Sequence, residues 1–344
     1  AAIAKLAQPT LVIVHSGVLF EQWYRMVSEW FGFAPGEIRG SKVNIKNITI
    51  GMQQSIWRKV DPDWADKFGC MCGDEIHRWA AQTFQKTAEM FSAKYRIGAS
   101  ADERRKDGKE FLIYNTFGDC KFVIHKQELE KKKKLVPVLL KLIRTKFYHE
   151  EFILARDMGE VPDWVQLIND LVFDSDRNKL ILKNVLKVLK NKDNKILILN
   201  ERVEFCKMFH EILEGLDIKN GCMIGGPANQ EELESTKAGL KDGDLRVGIG
   251  TKVADEGLDI PSLTHIFLTC PVHTHPKRME QMSGRSARPY KNKKYGTIYY
   301  FWDSELWPHV KEQDNEEEKL FNYFKIFKKV AKKVYVDGKV VKFS

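Results

Sequence analysis

Two adjacent carboxylates, Asp74 and Glu75, end a short apolar run that reaches back to Phe68, and His77 follows two residues later. A run this short and apolar suits a buried parallel strand. Acidic residues just past its end would stand at the carboxyl edge of a sheet, where open α/β folds bind ligands. Two carboxylates there can divide the work of nucleoside triphosphate hydrolysis. Asp74 would hold a hydrated magnesium ion, and Glu75 would orient and deprotonate the attacking water. The same residues also suit a strand entering a solvated acidic turn, so the downstream sequence has to decide.

The elements that would position these groups alternate along the chain. Leu11–Val14 reads as a buried strand, followed by helical spacing over Leu19–Trp30 and a strand over Asn47–Gly51. After the acidic strand come a helix over Trp79–Phe91 and a strand over Tyr95–Gly98. Such alternation predicts a parallel sheet flanked by helices. The charged block Lys126–Lys134 is expected to mark a domain boundary. A strand within 136–156 and helical patterns through Asn191 lead to a second alternating series. Its strands are Ile196–Leu199, Gly221–Ile224, Arg246–Gly250, His265–Thr269 and Gly296–Phe301. Three parts are therefore expected: residues 1–135, 136–310 and a basic helical tail over 311–344. In that tail, Phe321, Phe324, Phe327 and Val330 line one side of a helix running from Leu320 to Val334.

Composition bounds the partners. A formal charge of +9 and a pI near 9.0 favour a polyanion. Six cysteines without zinc-ribbon spacing read as unpaired core thiols of a reducing, intracellular compartment. No apolar run is long enough to cross a bilayer, so no membrane partner is expected. His273-Thr-His275 lacks further ligands at metal spacing and reads as a loop pair.

Seven further patches fall in order around the acidic pair. In the first half these are Leu11-Val-Ile-Val-His15-Ser16 with Glu21-Gln22-Trp23 behind it, Thr49-Ile-Gly-Met-Gln53-Gln54-Ser55, and Gly98-Ala-Ser100-Ala-Asp102. In the second half they are Ile196-Leu-Ile-Leu-Asn200, Met223-Ile-Gly225-Gly226, Gly250-Thr251-Lys252 running to Gly257-Leu-Asp259-Ile-Pro261, and Gln281-Met-Ser-Gly284-Arg285-Ser-Ala-Arg288. The series resembles the motifs of the superfamily 2 helicases and translocases, with the DExH branch closest. That branch includes repair and transcription DNA translocases, phage helicases and restriction-enzyme motor subunits.

The resemblance implies two tandem RecA-like α/β lobes that bind ATP and Mg2+ in their cleft and couple hydrolysis to movement along a strand. It places the metal at Asp74 and Glu75 through water. The nucleotide goes to Asp74, His77, Gly257, Asp259, Gln281, Arg285 and Arg288. Phosphates of nucleic acid, DNA rather than RNA, would meet His15, Ser16, Gln54, Ser55, Asn200, Gly225, Gly226, Thr251 and Lys252. Ser100 and Asp102 would couple the sites, although Asp102 departs from the usual Ser/Thr-Ala-Thr. Guanidinium grips phosphate oxygens with a planar fork, and the i, i+3 spacing of Arg285 and Arg288 puts both on one helical face. The family's phosphate loop matches nothing here and is expected upstream of Ala1, because the chain opens inside a helix without a cap. Additional subunits or a further amino-terminal domain are expected partners. Two other readings remain: a nucleic-acid-binding module that no longer hydrolyses ATP, and the motor subunit of a restriction or defence nuclease.

Overall fold

A computed structural model describes residues 2–59, 61–100, 108–120, 122–251, 254, 260–271, 276–306 and 331–341. The chain divides into two compact units, Ala1–Val123 and Ile124–Ser344. Each is a largely parallel sheet flanked by helices.

The sheet of unit 1 contains β1 (Thr10–Val14), β2 (Gly36–Arg39), β3 (Lys42–Asn44), β4 (Ile48–Met52), β5 (Cys70–Asp74) and β6 (Tyr95–Ala99), in spatial order β3-β2-β4-β1-β5-β6. Only the β2–β3 pair, which the sequence reading left unassigned, is antiparallel. All five residues of β1 are buried, as continuous β-branched and apolar side chains require in a strand covered on both faces. The helix Gly17–Phe31 packs Phe20 and Val27 on one face of the sheet, while Trp79, Phe84 and Phe91 fill the other.

Two glycines permit that second layer to close under the acidic strand end. Gly73 and Gly98 face each other in register on β5 and β6. A Cβ at Gly73 would fall 2.7 Å from Phe117 and 2.9 Å from Trp79, and one at Gly98 would fall 2.8 Å from Ile76. Bare backbone here lets the edge-to-face pair Trp79–Phe117, 4.8 Å between centroids, press against the strands. The helix expected over Trp79–Phe91 is shorter than predicted. A 3-10 turn, Ile76–Arg78, comes first, and the α-helix runs Gln82–Glu89.

Unit 2 contains β7 (Val138–Arg144), β8 (Ile196–Leu199), β9 (Asn220–Met223), β10 (Val247–Gly250), β11 (His265–Leu268), β12 (Gly296–Trp302), β13 (Lys333–Val336) and β14 (Lys339–Val341). Their order is β14-β13-β7-β12-β11-β8-β10-β9, with only β13–β14 antiparallel. A helix also covers Lys126–Lys131, inside the charged block.

The last two strands correct the expected tail, whose helix was to continue through Val334. Asp337 and Gly338 both have positive φ, 48° and 88°, as a type I′ hairpin turn requires. Val334 is buried beside Leu140 of β7. Residues 307–330, with most of that expected helix, lie outside the described residues, as do His273 and His275.

One buried ion pair pins three segments of unit 2. Arg177, on the helix Ser175–Leu189, donates from Nε to Asp303 Oδ1 at 2.7 Å and from Nη2 to Oδ2 at 3.1 Å. The Thr145 hydroxyl, just past β7, donates to the same carboxylate at 2.5 Å. Both charged side chains are fully buried.

Candidate active site

Because β1, β4, β5 and β6 run parallel, their carboxyl ends share one edge of the sheet of unit 1. His15 and Ser16, Gln53–Ser55, Asp74–Glu75 and Ser100 all come just after those ends. Asp74 is held from two directions. Its Oδ2 accepts from the Trp23 indole N–H at 2.9 Å, and its Oδ1 accepts from the Glu75 amide at 2.9 Å. Each oxygen keeps a further lone pair for a ligand.

Glu75 takes left-handed backbone angles, φ 49° and ψ 51°, which a residue with a long side chain seldom adopts. This kink ends β5 and starts the 3-10 turn. Oε2 of Glu75 is buried, with His77 Nδ1 3.2 Å away. The neighbouring His77 imidazole holds the Glu75 carboxyl below the usual carboxylate range, against burial, which pushes it up; His15 and Arg78 add to the lowering. His77 Nδ1 also stands 3.2 Å from Ser100 Oγ, a residue on the loop after β6.

Other predicted phosphate contacts have local work. Ser16 caps the helix Gly17–Phe31, its Oγ accepting from Leu19 N at 3.3 Å. Ser55 Oγ accepts from the Gly40 amide at 2.9 Å, and Gln54 is exposed at the start of the helix Gln53–Lys59. Asp102 lies outside the described residues.

In unit 2, Asn200, Gly225–Gly226 and Thr251 follow the ends of β8, β9 and β10, again on one sheet edge. The Asn200 side chain is fully buried and used internally. It donates to Thr269 Oγ1 at 2.9 Å and accepts from Arg202 N at 2.9 Å. Gly225 O accepts from Asn229 Nδ2 at 2.7 Å, and Gly226 takes φ 111°. Thr251 is half-buried, with its amide donating to Met223 O at 3.1 Å.

Arg285 lies on the helix Pro276–Ser286, whereas Arg288 lies past its end. This corrects the expected single helical face: Pro289 disfavours helical angles at the residue before it. Burial lowers the pKa of the Arg288 guanidinium. Lys252, Gly257 and Asp259, and the side chain of Gln281, lie outside the described residues. Among the described residues, no three His, Cys, Asp or Glu side chains group as metal ligands. Trp23, which follows the β1 motif in sequence, reaches Asp74 through a contact between residues 51 positions apart that no local pattern signals.

Two largely parallel α/β units, each with polar residues gathered on its carboxyl edge and one with a paired-carboxylate strand end, define the tandem RecA-like class of folds. The comparisons agree with that class. Residues 1–103 match the family described as type III restriction enzyme, res subunit, and residues 177–290 match the helicase conserved C-terminal domain. A probable helicase, D10, of Escherichia phage T5 is 24% identical over 289 residues, covering 84% of this chain and 61% of that protein. The DNA 3'-5' translocase XPB2 of Sulfurisphaera tokodaii is 24% identical over 291 residues, covering 76% of this chain and 65% of its own length. The chain thus spans under two thirds of each of these relatives. The helicase domain of Pyrococcus furiosus Hef shares the fold with a TM-score of 0.54 at 13% identity, over 92% of this chain and 90% of that one. The chain is thus similar to helicases in both of its units.

Proposed function

We propose that the protein is an ATP-dependent translocase or helicase acting on nucleic acid, with DNA as its polymer. The observation that carries the reading is the carboxylate pair at the carboxyl end of β5, with Asp74 held by the Trp23 indole and Glu75 facing His77 at 3.2 Å. Two adjacent carboxylates fixed at a strand end suit a metal's water shell and a water that must be aimed. The donor set also fits magnesium, which binds through one or two carboxylates together with substrate phosphates.

When bound with ATP, magnesium would supply charge neutralisation at the phosphate oxygens. The chain's own residues divide the rest. Asp74, fixed by Trp23, presents its remaining lone pairs to the metal's water shell. Glu75 orients the attacking water and accepts its proton at a carboxylate oxygen. The arginines Arg285 and Arg288 bind and stabilise the γ-phosphate charge as it develops. Thr251, Gln54 and the strand-end backbone groups grip nucleic-acid phosphates, which positions a strand without reading its sequence. Similarity to a protein named a DNA 3'-5' translocase supports DNA as the polymer.

The test is phosphate release by the purified full-length protein with and without single-stranded and duplex DNA and RNA. Glu75→Gln should leave ATP binding nearly intact and slow turnover by roughly two or more orders of magnitude. Wild-type turnover in that variant removes Glu75 from the role, and hydrolysis indifferent to any nucleic acid removes the coupling. The match of residues 1–103 to a restriction-enzyme subunit favours a second reading, a motor working beside a nuclease. Co-purification with a nuclease subunit that cleaves only while ATP is hydrolysed would select it.

A further inference from the structure

Pro261 and Leu263 close the stretch that contains Gly257 and Asp259, and Arg288 opens the loop that leads back to β12. One side chain bridges these segments. Lys293 Nζ donates to Leu263 O at 2.5 Å and to Pro261 O at 3.4 Å. Its own amide donates to Tyr290 O at 2.8 Å, which closes the turn after Arg288. Among the described residues no carboxylate pairs with this ammonium group. Burial, reinforced by the Arg288 charge beside it, lowers its pKa to about 8.

A half-buried lysine anchored on carbonyls is costly, because burial opposes its charge. For tethering alone, a neutral donor would do. A charged donor holds a carbonyl more strongly, and it also repels the neighbouring guanidinium. The Arg288 loop is thereby tied to the Pro261–Leu263 turn.

We infer that Lys293 is a positioning residue for ATP hydrolysis, tethering the Pro261–Leu263 turn to the Arg288 loop so that the arginine is presented to the γ-phosphate. The inference rests on the proposed function. Lys293 touches neither nucleotide nor nucleic acid in this scheme; it acts through Arg288 and through the turn that follows Asp259. Its effect therefore belongs in the rate of the chemical step and not in ATP affinity.

The experiment compares wild type, Lys293→Met and Lys293→Arg in the full-length protein. Nucleic-acid-stimulated ATPase kinetics are measured together with hydrogen exchange over residues 260–264 and 286–293. Lys293→Met should lower kcat by about five- to tenfold with KM for ATP changed less than about twofold, and should speed exchange in both segments. Lys293→Arg, which keeps the charge and the donors, should restore both. Should the methionine variant fail to fold, Lys293→Gln takes its place. Normal kcat in a folded variant, or a loss confined to KM, overturns the inference while leaving the proposed function standing. A wild-type protein without nucleic-acid-stimulated hydrolysis overturns both. Rate loss without faster exchange also overturns the tether.

Discussion

The indole N–H of Trp23 donates to Oδ2 of Asp74 at 2.9 Å, joining residues 51 positions apart. The helix Gly17–Phe31 thereby reaches the carboxylate at the end of β5, and the aspartate's orientation depends on a side chain from another element. A hydrogen bond to a charged group contributes about 1.5–3 kcal/mol.

Trp23→Phe keeps the ring and removes the donor. Turnover of ATP should fall about tenfold, with nucleic-acid affinity unchanged. Steady-state kinetics and fluorescence anisotropy with a labelled oligonucleotide separate the two. A loss of affinity without a loss of rate would move Trp23 to the nucleic-acid side.

His77→Ala removes the main influence that lowers the Glu75 pKa and leaves burial to raise it. In the wild type Glu75 is ionised down to below the ordinary carboxylate range. In the variant its protonation should enter at higher pH. The acid limb of the pH profile for kcat/KM should shift upward accordingly. An unmoved acid limb means that Glu75 does not set it.

Among the described residues, Arg177→Met leaves the buried Asp303 carboxylate with the Thr145 hydroxyl as its side-chain partner. Unit 2 should lose about 3–5 kcal/mol, because an uncompensated buried charge remains. The double variant Arg177→Met/Asp303→Leu should recover most of that loss. Chemical denaturation of the three proteins measures it, and a double variant no better than the single one would assign the loss to packing.

His265, at the start of β11, is pushed down to about 4 from an ordinary 6.5, first by burial and then by Lys141 and Lys293. The unfolded chain therefore binds the extra proton between those values. Stability associated with this group is fully present above pH 6.5 and is lost as pH falls towards 4, by roughly 3 kcal/mol. Denaturation curves of His265→Gln should show a correspondingly shallower pH dependence than wild type. Parallel curves would place the acid sensitivity elsewhere.

The central parallel strands of both sheets were legible, unlike the edge strands β2, β3, β13 and β14, because a parallel strand buried on both faces is a short continuous apolar run. Ile196–Leu199 and Leu11–Val14 are such runs, and each is fully buried. Asp74 and Glu75 were legible because their place follows from where such a run stops. What could not be read depends on long-range or competing local signals. Arg177 and Asp303 are 126 residues apart, and each looks like a surface charge until they meet. Asn200 falls at a strand end, as phosphate contacts do, yet Thr269 and Arg202 engage its amide. The amphipathic spacing leading to Val334 competed with an Asp337-Gly338 turn, and the turn chemistry prevailed. Arg288 left the helix because a proline follows it.

The order of strands in unit 2 also has a consequence for biogenesis. β7 is the unit's first strand, and its neighbours are β12 and β13, near the other end of the unit. Lys141 of β7 pairs with Tyr299, 158 residues later. At translation rates of roughly 5–20 residues per second, the apolar strand Val138–Arg144 leaves the ribosome about 10–30 seconds before β12 exists to receive it. Among the described residues, the strands of unit 1 pair only with one another. Until β12 is made, the apolar residues of the nascent β7 have no strand partner in unit 2 among those already made.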